Sequence, residues 1–267
     1  MNETLAAAIL GVVQGLTEFL PVSSSGHLVL MQSWLPVVGD PIAFDLILHL
    51  GTLLPVLWVY QDDVRSIVQD ALSGQGPLLQ RRGVRLLALV VVGSVPTAAI
   101  GLALEDVFEH LFATPVAVGV ALLLTGTALF ATRFAPQGTI NVSGMTWRQA
   151  VAIGFAQGLA ITPGISRSGS TIAAGLFLGI DRETAARFSF LLSVPAILGA
   201  FVLKARDLDV ATASPEPLVV GFVAAAVSGY LALRVLLRLV KTGDFSRFCW
   251  YLWPAGLAAI AWGLTVG

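Results

Sequence analysis

Charged residues and cysteine are both scarce in this sequence. Only 12% of its 267 residues are charged, whereas soluble domains usually contain about 25%, so the composition argues against a soluble protein. The single cysteine, Cys249, excludes an intrachain disulfide, and we interpret it as a packed apolar residue rather than a nucleophile. The formal net charge is only −1, so nucleic acid is not expected as a partner. The first residues, MNETLAAAIL, lack a basic region, so we expect no cleaved signal peptide.

Long apolar runs are the main feature that is present. Hydrophobic residues make up 56% of the sequence, and its mean hydropathy is +0.86. A helix that spans a membrane needs about 20 predominantly apolar residues. The runs of this kind predict an all-α integral membrane protein with six transmembrane helices, at about 41–60, 86–104, 113–132, 187–204, 217–237 and 249–266.

Two similar polar segments stand out from the apolar background. Residues 11–30 read GVVQGLTEFLPVSSSGHLVL, and residues 154–171 read GFAQGLAITPGISRSGST. The two copies align without a gap and share the pattern GxxQGL followed by SxSG. They differ at three polar positions, which match Glu18 with Ile161, Ser24 with Arg167 and His27 with Ser170. A charge at the middle of a spanning helix costs about 2.5–3.5 kcal/mol, so the retention of these groups predicts a functional site.

Each polar segment predicts a re-entrant helical hairpin. Gly, Pro and Ser interrupt both copies, and the apolar pieces on either side are too short to cross a membrane. Non-helical backbone at membrane depth is tolerated where it is buried in protein or lines a wet cavity. Three spans follow each hairpin, and this odd number inverts the second half relative to the first. We therefore predict a single membrane domain, residues 1–267, built as an inverted-topology repeat with halves 1–140 and 141–267.

The distribution of basic residues predicts the orientation of the chain. Loops rich in Arg and Lys belong in the cytoplasm, and here these loops are 61–85, 133–148, 181–187 and 234–247. The segment 105–110 has no basic residue and 207–216 is acidic, so both are expected outside, with Lys204 and Arg206 as exceptions. Both termini then lie outside, and the two hairpins enter from opposite faces and meet near the midplane, which brings Glu18 up to Arg167.

A divalent cation is one interpretation of the first polar segment. Gln14 and Glu18 are four residues apart, so a helix places them on one face. A carboxylate beside an amide oxygen suits Mg²⁺ or Ca²⁺, which take oxygen ligands. The alternative is that Glu18 pairs with a buried arginine instead. Both interpretations stay open.

The loops VSSSGH and PGISRSGST are expected to bind phosphate. Each is rich in Ser and Gly just before an apolar helical run, so backbone N–H groups and hydroxyls form an anion cradle. The planar guanidinium of Arg167 matches phosphate oxygens. The candidate phosphate-binding residues are Ser23, Ser25, Gly26, Ser166, Arg167, Ser168 and Thr171. Helix capping is the alternative, but it needs only one serine per loop.

The three histidines are interpreted differently. His27 titrates near neutral pH and follows the serines directly, so it is a candidate general acid, general base or nucleophile. His49 lies within the first predicted span, and we interpret it as structural or as a support for the site. His110 lies in the acidic external segment and is interpreted as inert.

The two motifs resemble those of a known family. QGLTEFLPVSSSGH and PGISRSGST are similar to the (E/Q)xxxE and PGxSRSxxT motifs of undecaprenyl-pyrophosphate phosphatases of the bacitracin-resistance type. The resemblance covers the chain length, both motifs, their spacing and the six-span inverted repeat. It implies removal of the terminal phosphate from the polyprenyl pyrophosphate that carries cell-wall precursors, a divalent cation, and bacitracin resistance. It also implies a site that opens to the periplasmic face of the bacterial inner (plasma) membrane.

The resemblance also assigns site residues by position. The residues that match the family motifs are Gln14, Glu18, Ser24, His27, Ser166, Arg167, Ser168 and Thr171. Position 14 is Gln where many members have Glu, which weakens a two-carboxylate metal site. Position 25 is Ser where some members have Thr.

The expected mechanism places the pyrophosphate between the two loops, held by Arg167, backbone N–H groups and a cation at Glu18. Ser24 attacks the terminal phosphorus, or His27 activates either a water or that serine, and these alternatives stay open.

The alternative function is a membrane transporter or flippase for a prenyl phosphate or a small anion, because inverted repeats with a midplane site are typical of transporters. We reject membership of the acid-phosphatase-like lipid phosphatases, because the histidine of their second motif has no counterpart after Arg167 in this sequence. The expected partners are polyprenyl pyrophosphate and membrane lipids, with a homodimer as an alternative to a monomer.

Overall fold

The structure is a computed structural model that describes residues 2–36, 40–73, 76–112, 114–204, 215–242 and 245–266. Helices dominate these ranges, which contain no β-strand beyond an isolated bridge between Ile140 and Ile180. The α-helices are α1 (Glu3–Phe19), α2 (Ser24–Gln32), α3 (Pro41–Val59), α4 (Gln61–Leu72), α5 (Arg82–Ala103), α6 (Glu105–Phe112), α7 (Pro115–Ala131), α8 (Trp147–Leu159), α9 (Arg167–Phe177), α10 (Arg182–Lys204), α11 (Pro215–Thr242) and α12 (Cys249–Val266).

Five of the described helices are long and apolar enough to cross a membrane, namely α3, α5, α10, α11 and α7 together with the 3-10 turn that extends it to Phe134. The prediction of an all-α integral membrane protein is therefore confirmed. The sixth predicted span corresponds to α12, a helix of 18 residues, and the full set of six spans stays a prediction. Two helices begin about one turn before the predicted apolar runs, because α5 starts at Arg82 and α10 starts at Arg182.

Two segments that the sequence predicts as loops contain short helices. α4 has Asp62 and Asp63 in its first turn, where carboxylates complement the positive end of the helix dipole. α6 buries Phe108. A search for runs of about 20 apolar residues does not detect helices of this length and polarity. The acidic segment predicted outside at 207–216 falls largely on 205–214, which lies outside the described residues.

Each polar segment forms a helix, a turn and a second helix. In the first copy the pair is α1 and α2, and in the second copy it is α8 and α9. The second helices contain only 9 and 11 residues, which is too short to cross a membrane. The first helices start with side-chain caps, because Asn2 accepts from the backbone N–H of Thr4, and Thr146 forms a capping box with Gln149.

The first helix of each copy packs tightly against a helix from the other half of the chain. α1 lies along α11, and α8 lies along α5. A Cβ atom at Gly11 would collide with the carbonyl oxygen of Gly221, and one at Gly154 would collide with that of Gly93. Glycine therefore permits the close helix approach in both pairs. Gly11 and Gly154 occupy the same position in the two copies, so the two contacts are reciprocal.

The first turn is anchored by apolar packing on both sides. Phe19, at the end of α1, meets Phe190 of α10 edge to face, with ring centroids 5.7 Å apart. Val22, within the turn, is buried in one apolar cluster with Leu122 of α7 and Leu252 of α12. These contacts hold the polar residues that follow in a defined place between three long helices.

Candidate active site

The turns of the two polar segments lie against each other. A Cβ atom at Gly26 would come within 2.9 Å of the Cα atom of Gly164, and one at Gly169 would lie 3.3 Å from the Cβ atom of Pro21. Because α2 begins at Ser24 and α9 begins at Arg167, the N-termini of these two helices are brought together. Helix N-termini present free N–H groups, so this arrangement favours an anion.

Each turn uses one serine as a helix cap. The hydroxyl of Ser23 accepts from the backbone N–H of Gly26 at 3.3 Å, and that of Ser166 accepts from Gly169 at 3.0 Å. Helix capping, the alternative to phosphate binding, therefore accounts for one serine in each loop. Ser23 also has a φ of +70°, in the left-handed region that a non-glycine residue rarely adopts. Such backbone strain is concentrated at functional sites.

The remaining serines of the loops extend the hydroxyl cluster. The hydroxyl of Ser25 lies 3.3 Å from that of Ser23, and the hydroxyl of Ser168 lies 3.3 Å from that of Ser166. The same contact therefore occurs in both copies. These hydroxyls surround the two helix starts, where the phosphate oxygens are expected.

The carboxylate of Glu18 connects the two halves of the protein. Its Oε2 atom accepts from the hydroxyl of Ser24 at 2.5 Å and from Nε2 of Gln14 at 3.1 Å. Its Oε1 atom forms an ion pair with Nη2 of Arg167. Only 8% of Glu18 is exposed, so a charged group there needs these partners. The predicted approach of Glu18 to Arg167 is present in the structure.

His49 is also close to this carboxylate. Its Nε2 atom lies 3.6 Å from Oε2 of Glu18, which is longer than a hydrogen bond. Its Nδ1 atom lies 2.7 Å from the carbonyl oxygen of Asp45, one helical turn earlier. The contact with Glu18 is consistent with the interpretation of His49 as a support for the site.

The residues predicted to bind a cation partly meet the needs of one. Oε1 of Gln14 is buried without a hydrogen-bond partner, so the amide offers a spare oxygen beside Glu18. The equivalent Gln157 has an unpaired Oε1 as well, but Ile161 replaces the carboxylate there. The described residues contain no cluster of three or more His, Cys, Asp or Glu that could hold a metal ion. One carboxylate and one amide oxygen are fewer ligands than a metal ion needs, and a cation of the Mg²⁺ type would complete its set with water and substrate phosphates.

His27 contacts a residue that the sequence motifs do not indicate. Its Nδ1 atom lies 2.7 Å from the carbonyl oxygen of Ser23, and its Nε2 atom lies 2.6 Å from the hydroxyl of Tyr251 on α12. Tyr251 is 224 positions away in the sequence and belongs to neither polar segment. The sequence carries no signal that connects the two residues.

Thr171 lies on α9, one helical turn after Arg167. Its hydroxyl donates to the carbonyl oxygen of Arg167 at 2.7 Å and shares a hydrogen bond with the hydroxyl of Ser189 on α10. Only 1% of Thr171 is exposed. Its contacts connect α9 to α10, and phosphate binding by Thr171 stays a prediction.

Comparisons with known proteins find one matching family and many similar proteins. Residues 7–258 match the family described as Bacitracin resistance protein BacA. An undecaprenyl-diphosphatase from Desulfosudis oleivorans is 49% identical over 271 aligned residues, which cover 95% of this chain and 96% of the relative. Undecaprenyl-diphosphatases from Carboxydothermus hydrogenoformans and Methanobrevibacter smithii are 42% and 40% identical. They cover 95% and 98% of this chain, and the matches span 95% and 99% of the relatives.

Proposed function

This chain belongs to the family of the bacitracin resistance protein BacA, and on this premise we propose that it hydrolyses undecaprenyl diphosphate to undecaprenyl phosphate and inorganic phosphate. The reaction regenerates the lipid that carries cell-wall precursors, and it lowers the amount of the diphosphate that bacitracin binds. The observation that carries the proposal is the Glu18 cluster, which joins Ser24 from one polar segment to Arg167 from the other.

The cluster supplies what phosphoryl transfer requires from a protein. Catalysis of this reaction rests mainly on positioning and on neutralising the charge of the phosphoryl oxygens. The guanidinium of Arg167 and the N-termini of α2 and α9 provide positive potential at one place. The diphosphate head group binds between the two turns, and the prenyl tail lies along the apolar helices in contact with membrane lipids.

Ser24 is the nucleophile in this proposal. Its oxygen attacks the terminal phosphorus, and the bond from that phosphorus to the bridging oxygen breaks, which releases undecaprenyl phosphate. The hydroxyl proton passes to Glu18, whose Oε2 atom already lies 2.5 Å from the serine oxygen. Before this attack, Arg167 moves from Glu18 to the phosphate oxygens as the diphosphate enters.

His27 acts in the second half of the reaction. Water attacks the phosphoserine and its proton passes to Nε2 of His27. The bond from phosphorus to the Ser24 oxygen breaks, Glu18 returns its proton to that oxygen, and inorganic phosphate leaves. The other nitrogen, Nδ1, is held at the Ser23 carbonyl oxygen and is not available as a base.

A divalent cation, Mg²⁺ or Ca²⁺, is proposed to bind at Glu18 and at the spare amide oxygen of Gln14. It would neutralise charge on the diphosphate. The four-residue spacing on α1 keeps both oxygens on the same side of the helix.

The proposed arrangement in the membrane is the inverted repeat with two re-entrant hairpins and six spans. The reciprocal packing of α1 on α11 and of α8 on α5 supports it, because equivalent helices exchange places between the halves. In this arrangement the protein lies in the bacterial inner membrane, and its site opens to the periplasmic face. A homodimer is part of the proposal only as an alternative to a monomer.

The proposal is tested by phosphate release from undecaprenyl diphosphate by the purified protein, with Mg²⁺, with Ca²⁺ and with chelator. Cation-dependent release is expected, and it should fall at least about a hundredfold in Glu18→Gln and Ser24→Ala. Ser193→Ala is the matched control, since the hydroxyl of this buried serine donates to the carbonyl oxygen of Phe190 within its own helix. A phosphoserine trapped with labelled substrate should map to Ser24. If the folded wild-type protein releases no phosphate, the transporter alternative takes the place of the proposal.

A further inference from the structure

We propose that Tyr251 is a positioning residue that fixes the orientation and the neutral tautomer of His27. This inference rests on the proposed function, because it assigns the residue that prepares His27 for its role there. The hydroxyl of Tyr251 lies 2.6 Å from Nε2 of His27. The two rings are also stacked, with centroids 5.7 Å apart and an angle of 12° between their planes. The contact thus combines a hydrogen bond with ring packing.

The hydrogen bonds of His27 select one tautomer. A carbonyl oxygen can only accept, so Nδ1, 2.7 Å from the Ser23 carbonyl oxygen, must carry the proton. Nε2 of the neutral ring is then an acceptor, and the Tyr251 hydroxyl must be its donor. Nε2, whose lone pair can take up a proton, is therefore the nitrogen that accepts the hydrogen bond from Tyr251.

The position of Tyr251 on α12 gives this contact a structural basis. α2 contacts α12 through His27 and Tyr251 at its start, and Trp34, just after its end, meets Trp262 with ring centroids 5.4 Å apart. The two contacts fix the rotation of α2 about its axis, and hence the direction of the imidazole. Tyr251 and Arg167 both belong to the second half of the chain. Residues of the second half therefore hold the polar groups of α1 and α2, which belong to the first.

The sharpest test is Tyr251→Phe, which keeps the ring and removes only the hydroxyl. We expect kcat for phosphate release to fall about fivefold to tenfold, the effect of losing one net hydrogen bond, with KM for undecaprenyl diphosphate unchanged. Tyr230→Phe is the matched control, because the Tyr230 hydroxyl on α11 accepts from Arg234 at 3.1 Å and does not contact His27. An unchanged kcat in Tyr251→Phe, or an equal loss in Tyr230→Phe, would overturn the inference.

A spectroscopic measurement separates this inference from the proposed function. In ¹⁵N-histidine-labelled protein, the His27 signals, identified by their loss in His27→Asn, should show protonated Nδ1 and unprotonated Nε2. In Tyr251→Phe the Nε2 signal should move toward that of an unprotonated nitrogen without a hydrogen bond, or the ring should become a mixture of tautomers. Unchanged signals contradict the positioning role even if the enzyme is active. A shift in protein that releases no phosphate would support the contact and reject the proposed function alone.

Discussion

Glu18 and Arg167 form a largely buried ion pair, in which 5% and 23% of the side chains are exposed. Removal of one partner of such a pair leaves a buried charge without compensation, which typically costs about 3–5 kcal/mol. We therefore expect Arg167→Met to lower the stability of the purified protein by about this amount. The double variant with Glu18→Gln should recover most of the loss, because the amide needs no counter-charge. Thermal unfolding in detergent measures both effects.

An exposed ion pair provides the control for this double-variant comparison. Arg65 lies 3.5 Å from Asp62, and 65% and 94% of these side chains are exposed. Surface pairs contribute little to stability, so Arg65→Met should leave the unfolding temperature nearly unchanged. If the double variant at positions 18 and 167 is no more stable than Arg167→Met, the coupling between the two side chains is refuted.

His49 tests how far the influence of the Glu18 cluster extends. Its 3.6 Å distance from the carboxylate is too long for a hydrogen bond, unlike the 2.5 Å contact of Ser24. We expect His49→Gln to reduce kcat for phosphate release by less than about threefold, since it removes a contact and no hydrogen bond of the carboxylate. Steady-state kinetics beside Ser24→Ala checks this expectation. A loss as large as that of Ser24→Ala would give His49 a direct part in the reaction.

At the scale of helices, the fold depends on close contacts that only glycine permits. A Cβ atom at Gly154 on α8 would collide with the carbonyl oxygen of Gly93 on α5. We expect Gly154→Ala to destabilise the protein by about 1–3 kcal/mol, because the two helices must separate. Gly199→Ala on α10 is the control, since no atom lies within 4 Å of its Cβ position. Equal unfolding temperatures for the two variants would show that this helix contact is dispensable.

The helices of the protein differ in how well the sequence predicts them. α3, α7 and α11 follow from long apolar runs, and the turns before α2 and α9 follow from Gly, Pro and Ser within the polar segments. α4 and α6 do not follow, because a short amphipathic helix is stabilised by its packing and its end charges rather than by apolar length.

At the scale of the whole molecule, the repeat explains which site residues the sequence reveals. Glu18, Ser24 and Arg167 are visible because they break the match between two otherwise similar segments. Tyr251 is not visible, since it lies in an apolar run without a motif and reaches His27 only through the packing of α12 beside α2. Contacts of this kind depend on how distant helices are rotated against each other, and no local pattern records that rotation.

The inverted repeat makes one prediction that involves the entire chain. If the two hairpins enter from opposite faces, the end of α2 faces the outside and the start of α8 faces the cytoplasm. Ser33 and Ser143 are exposed near these two ends. In a Cys249→Ala background, a membrane-impermeant maleimide should label Ser33→Cys in intact spheroplasts, but Ser143→Cys only after permeabilisation. Labelling of both positions from the same side would refute the inverted topology. Glu18 and Arg167 would then have to meet from hairpins that enter side by side, and the reciprocal contacts of Gly11 and Gly154 would need another origin.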